Sequence, residues 1–158
     1  MQLDIHHLRE DYTKDSLDIS TTADHPFQQF HTWFKEAQAS SVAEPNAMTL
    51  ATVTPEGRPK ARIMLLKQLD STGFVFFTNY GSAKGKDLTH NPQASLLFFW
   101  DALQRQVRIS GVVERISREE SIAYFQSRPK GSCDRRHRFT SEPSSGRQAA
   151  VGGNSFLA

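Results

Sequence analysis

The sequence predicts a mainly β protein with flanking helices (α+β), built as an antiparallel sheet or small barrel. Three observations predict it. The elements run helix, three strands, short helix, two strands, helix. Short turn signals, Pro55-Glu56-Gly57 and Asp70-Ser71-Thr72-Gly73, join successive strands as hairpins. Strands and helices do not alternate in the regular way that parallel βαβ units require.

Each element has its own justification. Residues 1–25 are polar and read as an arm. From Pro26, Phe27, Phe30, Trp33, Phe34 and Ala37 recur at spacings of three and four, which places them on one face of a helix. Asp24 and Pro26 serve as its start signals. Aromatics at this period are a core stripe more often than a cofactor site. Met48–Thr54 is a strand rich in Thr, Val, Leu and Ala. Arg58–Leu69 carries the apolar run Ile63-Met64-Leu65-Leu66, and Phe74–Thr78 is its returning partner. Ser82–His90 reads as a short helix stopped by Asn91-Pro92. Ser95–Trp100 is an apolar strand. In Val107–Ile116, Val107, Ile109 and Val113 face one way and Arg108, Ser110, Val112 and Glu114 the other. Ser117 and Glu120 form a capping box that starts a helix through Phe125. From Gly131 the periodicity fades into Gly, Ser and Arg, which predicts a largely disordered tail.

Composition narrows the function. The chain has 158 residues, 37% hydrophobic and 23% charged, enough for one soluble domain with a real core. No run approaches the roughly 18 apolar residues of a membrane span, and the first ten residues lack the apolar stretch of a secretory signal. The single cysteine, Cys133, excludes an internal disulfide and a multi-cysteine zinc site, and fits a cytoplasmic location. The net charge is +2, and all of the excess lies in residues 131–158, where four arginines face two acids. Four arginines without interleaved aromatics are a thin nucleic-acid footprint, so neither nucleic acid nor membrane is expected as a partner.

No nucleotide-binding glycine loop, nucleophile elbow or zinc-protease motif occurs. His6-His7 is a weak metal candidate in a polar arm, and Cys133 has no setting that would activate it. What stands out is cations at strand ends beside hydroxyls. Arg62 and Lys67 bracket the apolar run of the second strand. Thr78-Asn79-Tyr80-Gly81-Ser82-Ala83-Lys84 leaves a strand and enters a helix, a setting suited to phosphate. Arg105-Gln106 precedes the alternating strand, and Tyr124-Phe125-Gln126-Ser127-Arg128-Pro129 closes a helix. Each cluster alone also reads as a solvated strand end or a helix cap.

In these segments the chain resembles the pyridoxine/pyridoxamine 5'-phosphate oxidase family. The shared text includes Leu8-Arg9-Glu10-Asp11-Tyr12-Thr13-Lys14, Pro45-Asn46-Ala47-Met48 and Ala51-Thr52-Val53. It continues in Arg62-Ile63-Met64-Leu65-Leu66-Lys67, Phe77-Thr78-Asn79-Tyr80-Gly81-Ser82, Asn91-Pro92, Arg105-Gln106-Val107 and Tyr124–Pro129. The resemblance covers about residues 8–132. It implies an FMN-binding split β-barrel, a homodimer with FMN at the subunit interface, and oxidation of pyridoxine or pyridoxamine 5'-phosphate to pyridoxal 5'-phosphate with O₂ as acceptor. The flavin would carry the redox chemistry, so no catalytic residue is assigned. By the matching motifs, Arg62, Ile63, Met64, Leu65, Leu66 and Lys67 would hold FMN, with Arg62 a phosphate cation. Phe77 and Thr78 would line the flavin, largely through backbone. Lys84 would bind its phosphate and Gln106 the ring edge. Lys67, Tyr124, Arg128 and Ser132 would bind substrate, and Arg9 and Tyr12 would close over it.

Two departures qualify the match. Gly81-Ser82-Ala83-Lys84 has alanine where the family usually has arginine, so one phosphate cation is missing. Beyond Ser132 the family's C-terminal motifs are absent, which implies a C-terminally truncated, incomplete barrel with unpaired edges. The expected organisation is therefore an arm (1–25), a partial split-barrel domain (26–132) and a non-homologous tail (133–158). Asp134–Arg138 can be encoded so that a reading one base later gives Ile-Gly-Ala-Ile, the family's continuation, so the tail reads as a frameshift product. The alternative function is a non-catalytic split-barrel remnant that binds FMN or pyridoxal phosphate.

Overall fold

The structure, a computed structural model, describes residues 4, 6, 8, 11, 13, 14, 17–71, 73–117, 119 and 149–157. Contacts divide the chain into two compact units, one within Met1–Pro45 and Phe99–Gln106 and the other within Asn46–Phe98 and Val107–Ala158.

The first unit is organised by α1 (Pro26–Ala39). Its apolar stripe buries Phe30, Trp33 and Ala37. Phe30 and Phe34 pack against Trp100, with ring centroids 5.8 and 6.2 Å away. The Trp100 indole N–H donates to Pro45 O at 2.9 Å, which satisfies its one polar atom. Asp24 is not the cap of α1. His25 takes that position, its Nδ1 accepting from the Phe27 N–H at 3.3 Å, and Pro26 follows as the first helical residue. Arg105 lies over the Trp33 ring at 4.8 Å and pairs with Glu36 at 2.6 Å. Gln104, in the left-handed region at φ 49°, accepts from the backbone N–H groups of Thr13 and Lys14 at 3.0 and 3.1 Å.

The second unit contains most of the sheet. Its strands are β1 (Ala47–Val53), β2 (Pro59–Leu69), β3 (Phe74–Phe76), β4 (Gln93–Trp100), β5 (Arg105–Glu114) and β6 (Ala149–Leu157), with β4 and β5 running on into the first unit. The strand order is β1-β2-β3-β6-β5-β4, and β4 pairs back with β1, so the sheet closes. The hairpins fall where the turn residues place them. Gly57 sits at φ 78° between β1 and β2, and the Asp70 N–H donates to Gly73 O between β2 and β3. Met48, Leu50, Phe74, Phe76, Leu96 and Ile109 are almost fully buried inside the sheet. The alternation read in β5 holds, with Val107 and Ile109 buried and Arg108 and Ser110 exposed. The helix α2 (Ala83–His90) connects β3 to β4.

The described part of the tail departs from expectation. Of residues 133–158, the described part, Ala149–Leu157, is a strand and not a disordered segment. It pairs antiparallel with β3 through Phe74↔Val151 and with β5 through Val113↔Val151. The edges expected to be unpaired are therefore occupied. The physical reason is the geometry of the sheet: two edges of unsatisfied N–H and C=O groups select a strand even from a segment with little periodicity. Apart from Ser117 and Glu119, the helix expected over 117–125 lies outside the described residues. Among the described residues, no helix is long and apolar enough to cross a membrane.

Candidate functional site

Strand register brings the first group of side chains together. Leu50 stands opposite Arg62 and Thr52 opposite Lys60 on β1 and β2. Arg62 Nη1 donates to Leu50 O at 3.1 Å and to Thr52 Oγ1 at 2.7 Å. Asp87 enters from α2 and is only 3% exposed. Thr52 Oγ1 donates to Asp87 Oδ2 at 3.2 Å; its proton must point that way, because guanidinium can only donate. Lys60 Nζ is 3.5 Å from Asp87 Oδ1, and Arg62 Nη2 is 3.8 Å from Oδ2. The buried carboxylate is thus held by two cations and a hydroxyl, as burial of a charge requires. Glu56 also interacts with Lys60 and Asp87, so two cations and two acids share this cluster. Nη1 uses both hydrogens, whereas Nε and Nη2 have no hydrogen-bond acceptor among the described residues.

Further along β2, the pairing runs Leu66↔Phe76 and then Gln68↔Val75, so Lys67 is the extra residue of a β-bulge. A bulge releases its residue from the ladder and re-aims it. Lys67 is exposed, Leu66 is buried, Met64 and Leu65 are half-buried, and Ile63 is 68% exposed. Asn46 clamps the bulge, giving its side-chain amide to Leu66 O at 3.2 Å and accepting the Leu66 N–H at 2.8 Å.

The exit from β3 forms the second group. Phe77 is half-buried and Thr78 buried. Gly81 N–H donates to Asn79 Oδ1 at 2.8 Å, and Ser82 caps α2 by accepting from Gly85 N–H at 3.3 Å. A Cβ at Gly85 would lie 2.5 Å from Tyr80 O and 2.6 Å from Asn79 O, so glycine is what allows α2 to start this close to the incoming chain. That approach fixes the first turn, and with it half-buried Lys84. Thr78 Oγ1 is fully buried with no hydrogen-bond partner among the described residues. Thr78, Tyr80, Gly85, Thr89 and Arg115 line a cavity of about 190 Å³, where the Arg115 guanidinium covers the Tyr80 ring at 4.5 Å.

Of the residues singled out from sequence, Arg62–Lys67, Phe77, Thr78 and Lys84 all lie in the second unit, on β2, the β3 exit and the first turn of α2. Gln106 is exposed on β5 and belongs to the first unit. Arg9, Tyr12, Tyr124, Arg128 and Ser132 lie outside the described residues. Sequence reading missed Asp87, Lys60 and Thr52. The signal available was slight: Lys60 and Arg62 share a strand face, and Lys84 and Asp87 a helix face.

Comparison with known proteins places this geometry. The family described as Pyridoxamine 5'-phosphate oxidase matches residues 34–151. The chain belongs to that family. A pyridoxine/pyridoxamine 5'-phosphate oxidase of Bordetella avium is 61% identical over 125 residues, covering 79% of this chain and 60% of that protein. The protein of the same name from Synechocystis is 58% identical over 125 residues, covering 79% and 58%. The chain thus spans about 60% of the length of such relatives. Among solved structures, PhzG from Burkholderia lata, in complex with tetrahydrophenazine-1-carboxylic acid, matches with TM-score 0.77 at 22% identity, over 90% of this chain and 84% of that one. A pyridoxamine 5'-phosphate oxidase-related, FMN binding protein from Nostoc punctiforme gives 0.66 at 19%, over 82% and 81%. HutZ, a heme storage protein from Vibrio cholerae, gives 0.54 at 17%, over 80% and 92%. These likenesses establish the split-barrel fold. The cofactor has to be argued from the residues themselves.

Proposed function

We propose that this chain binds FMN and acts as an oxidoreductase on pyridoxine or pyridoxamine 5'-phosphate, with O₂ as electron acceptor. The observation that carries the reading is the state of Arg62. Its guanidinium is anchored on one side by Leu50 O and Thr52, with donors left over. Such an anchored arginine suits a phosphate dianion. The donor set fits FMN in a second respect: the buried Thr78 hydroxyl, without a partner among the described residues, lies among the residues assigned to the flavin.

Arg62 and Lys84 would bind the FMN phosphate. Ile63–Lys67 would run along the flavin, with the bulged Lys67 reaching toward substrate. Phe77, Thr78 and Gln106 would contact the ring system. Tyr124, Arg128 and Ser132 would bind the substrate phosphate, and Arg9 and Tyr12 would cover it. FMN, when bound, supplies the hydride-accepting chemistry. The residues of this chain then bind, orient and exclude water. The reading includes a homodimer with FMN at the subunit interface.

The test is direct. Purified chain incubated with FMN should retain a flavin absorbance spectrum after desalting, and pyridoxamine 5'-phosphate should then bleach it without air and yield hydrogen peroxide with air. A second reading, ligand binding without turnover, draws support from HutZ, a heme storage protein on the same fold. It predicts retained FMN or pyridoxal phosphate with no peroxide. Correctly folded protein that stays colourless contradicts the FMN reading.

A further inference from the structure

Asp87 is the buried acid that the proposed flavin chemistry leaves unused. It sits on α2 three residues beyond Lys84, so the two share a helix face. Its carboxylate is out of reach of any ligand at 3% exposure, yet it contacts the one arginine assigned to the phosphate. The connection runs along two routes. One is the direct ion pair with Arg62 Nη2 at 3.8 Å. The other passes through Thr52 Oγ1, which accepts from Arg62 Nη1 at 2.7 Å and donates to Asp87 at 3.2 Å.

We propose that Asp87 is a positioning residue for phosphate recognition: it holds Arg62 of β2 in place and locks the rotation of the helix that carries Lys84. The inference rests on the FMN reading above. Two opposing effects decide its sign. A carboxylate beside a phosphate site repels the incoming dianion, and this would make Asp87 a hindrance. Here Lys60, 3.5 Å from the same carboxylate, offsets that charge. Without Asp87, Arg62 loses its ion pair and the Thr52 hydroxyl loses the acceptor that turns its lone pairs toward Arg62, so a long side chain is held less firmly. Positioning therefore outweighs repulsion, and loss of the acid should weaken phosphate binding.

The readout that separates positioning from simple structural support is the preference for FMN over riboflavin, which differ only in the phosphate. Dissociation constants for both are measured by flavin fluorescence quenching on wild type, Asp87→Asn and Thr52→Val. The wild type should prefer FMN. Asp87→Asn should reduce that preference about tenfold or more by weakening FMN alone, the scale of one charge-assisted hydrogen bond. Thr52→Val keeps the carboxylate and removes only the hydroxyl link, so it should reduce the preference severalfold and keeps the proposal testable if Asp87→Asn fails to fold. Equal weakening of both flavins, an unchanged preference, or tighter FMN binding in the folded variants would overturn the inference while leaving the FMN reading intact. A wild type with no preference for FMN would overturn the FMN reading itself, and the inference with it.

Discussion

At the scale of single residues, Thr78 and Arg62 carry opposite signatures of the same use. Thr78 hides a hydroxyl with no partner among the described residues, and such an orphan costs a folded protein about 1–3 kcal/mol. Thr78→Val keeps the shape and removes the orphan, so the unliganded chain should melt several degrees higher while FMN binds more weakly. Calorimetric melts and a flavin titration check the pair of effects; a lower melting temperature would show that the hydroxyl is satisfied. Arg62 has the reverse character, with donors anchored on one side and spare on the other. Both residues were legible in the sequence as polar groups at strand ends. The burial of Thr78 and the partners of Arg62 were not. Asp87 is 35 residues from Thr52, and only the packing of α2 on the sheet brings them together.

At the scale of elements, the patterns that rest on local periodicity were readable and those that rest on exact termini were not. The α1 stripe and the β5 alternation follow from spacings of 3.6 and 2, which tertiary packing reinforces. Asp24 and Pro26 marked the start of α1, and the capping acceptor is His25 between them, whose ring nitrogen takes the Phe27 N–H. The bulge at Lys67 had no sequence signal, since it arises from the mismatch between β2 and β3. The decisive element is the start of α2. Gly85→Ala would force a methyl to 2.5 Å from Tyr80 O, a backbone atom that cannot swing aside. The substitution should cost about 1–3 kcal/mol despite alanine's better helix propensity. It should also weaken FMN binding by displacing Lys84. Denaturant melts test the first effect, and an alanine variant as stable as wild type would refute it.

At the scale of the whole chain, the fold class was legible and the closure of the sheet was not. Hairpin turns and strand order announced an antiparallel sheet with helices. The tail offered no period, and Gly152, Gly153 and Asn154 are poor strand formers, so β6 could not be read locally. Its place is dictated by β3 and β5, whose facing edges it joins. Val151 pairs with both neighbours, which makes it a central-strand position. Val151→Pro would remove a ladder donor there and should lower the melting temperature markedly, with increased association of the exposed edges. An unchanged melt and unchanged size distribution would mean that β6 contributes nothing to closure.

The proposed function turns on whether Arg62 and its surroundings form an FMN phosphate site in this chain. The most direct measurement is equilibrium titration of FMN, with riboflavin in parallel, against folded wild type and Arg62→Ala. Saturable FMN binding is expected in the wild type, with a clear preference over riboflavin and loss of most of that preference in Arg62→Ala without loss of fold. Equal affinity for the two flavins in the wild type, or an FMN preference untouched by Arg62→Ala, would contradict it.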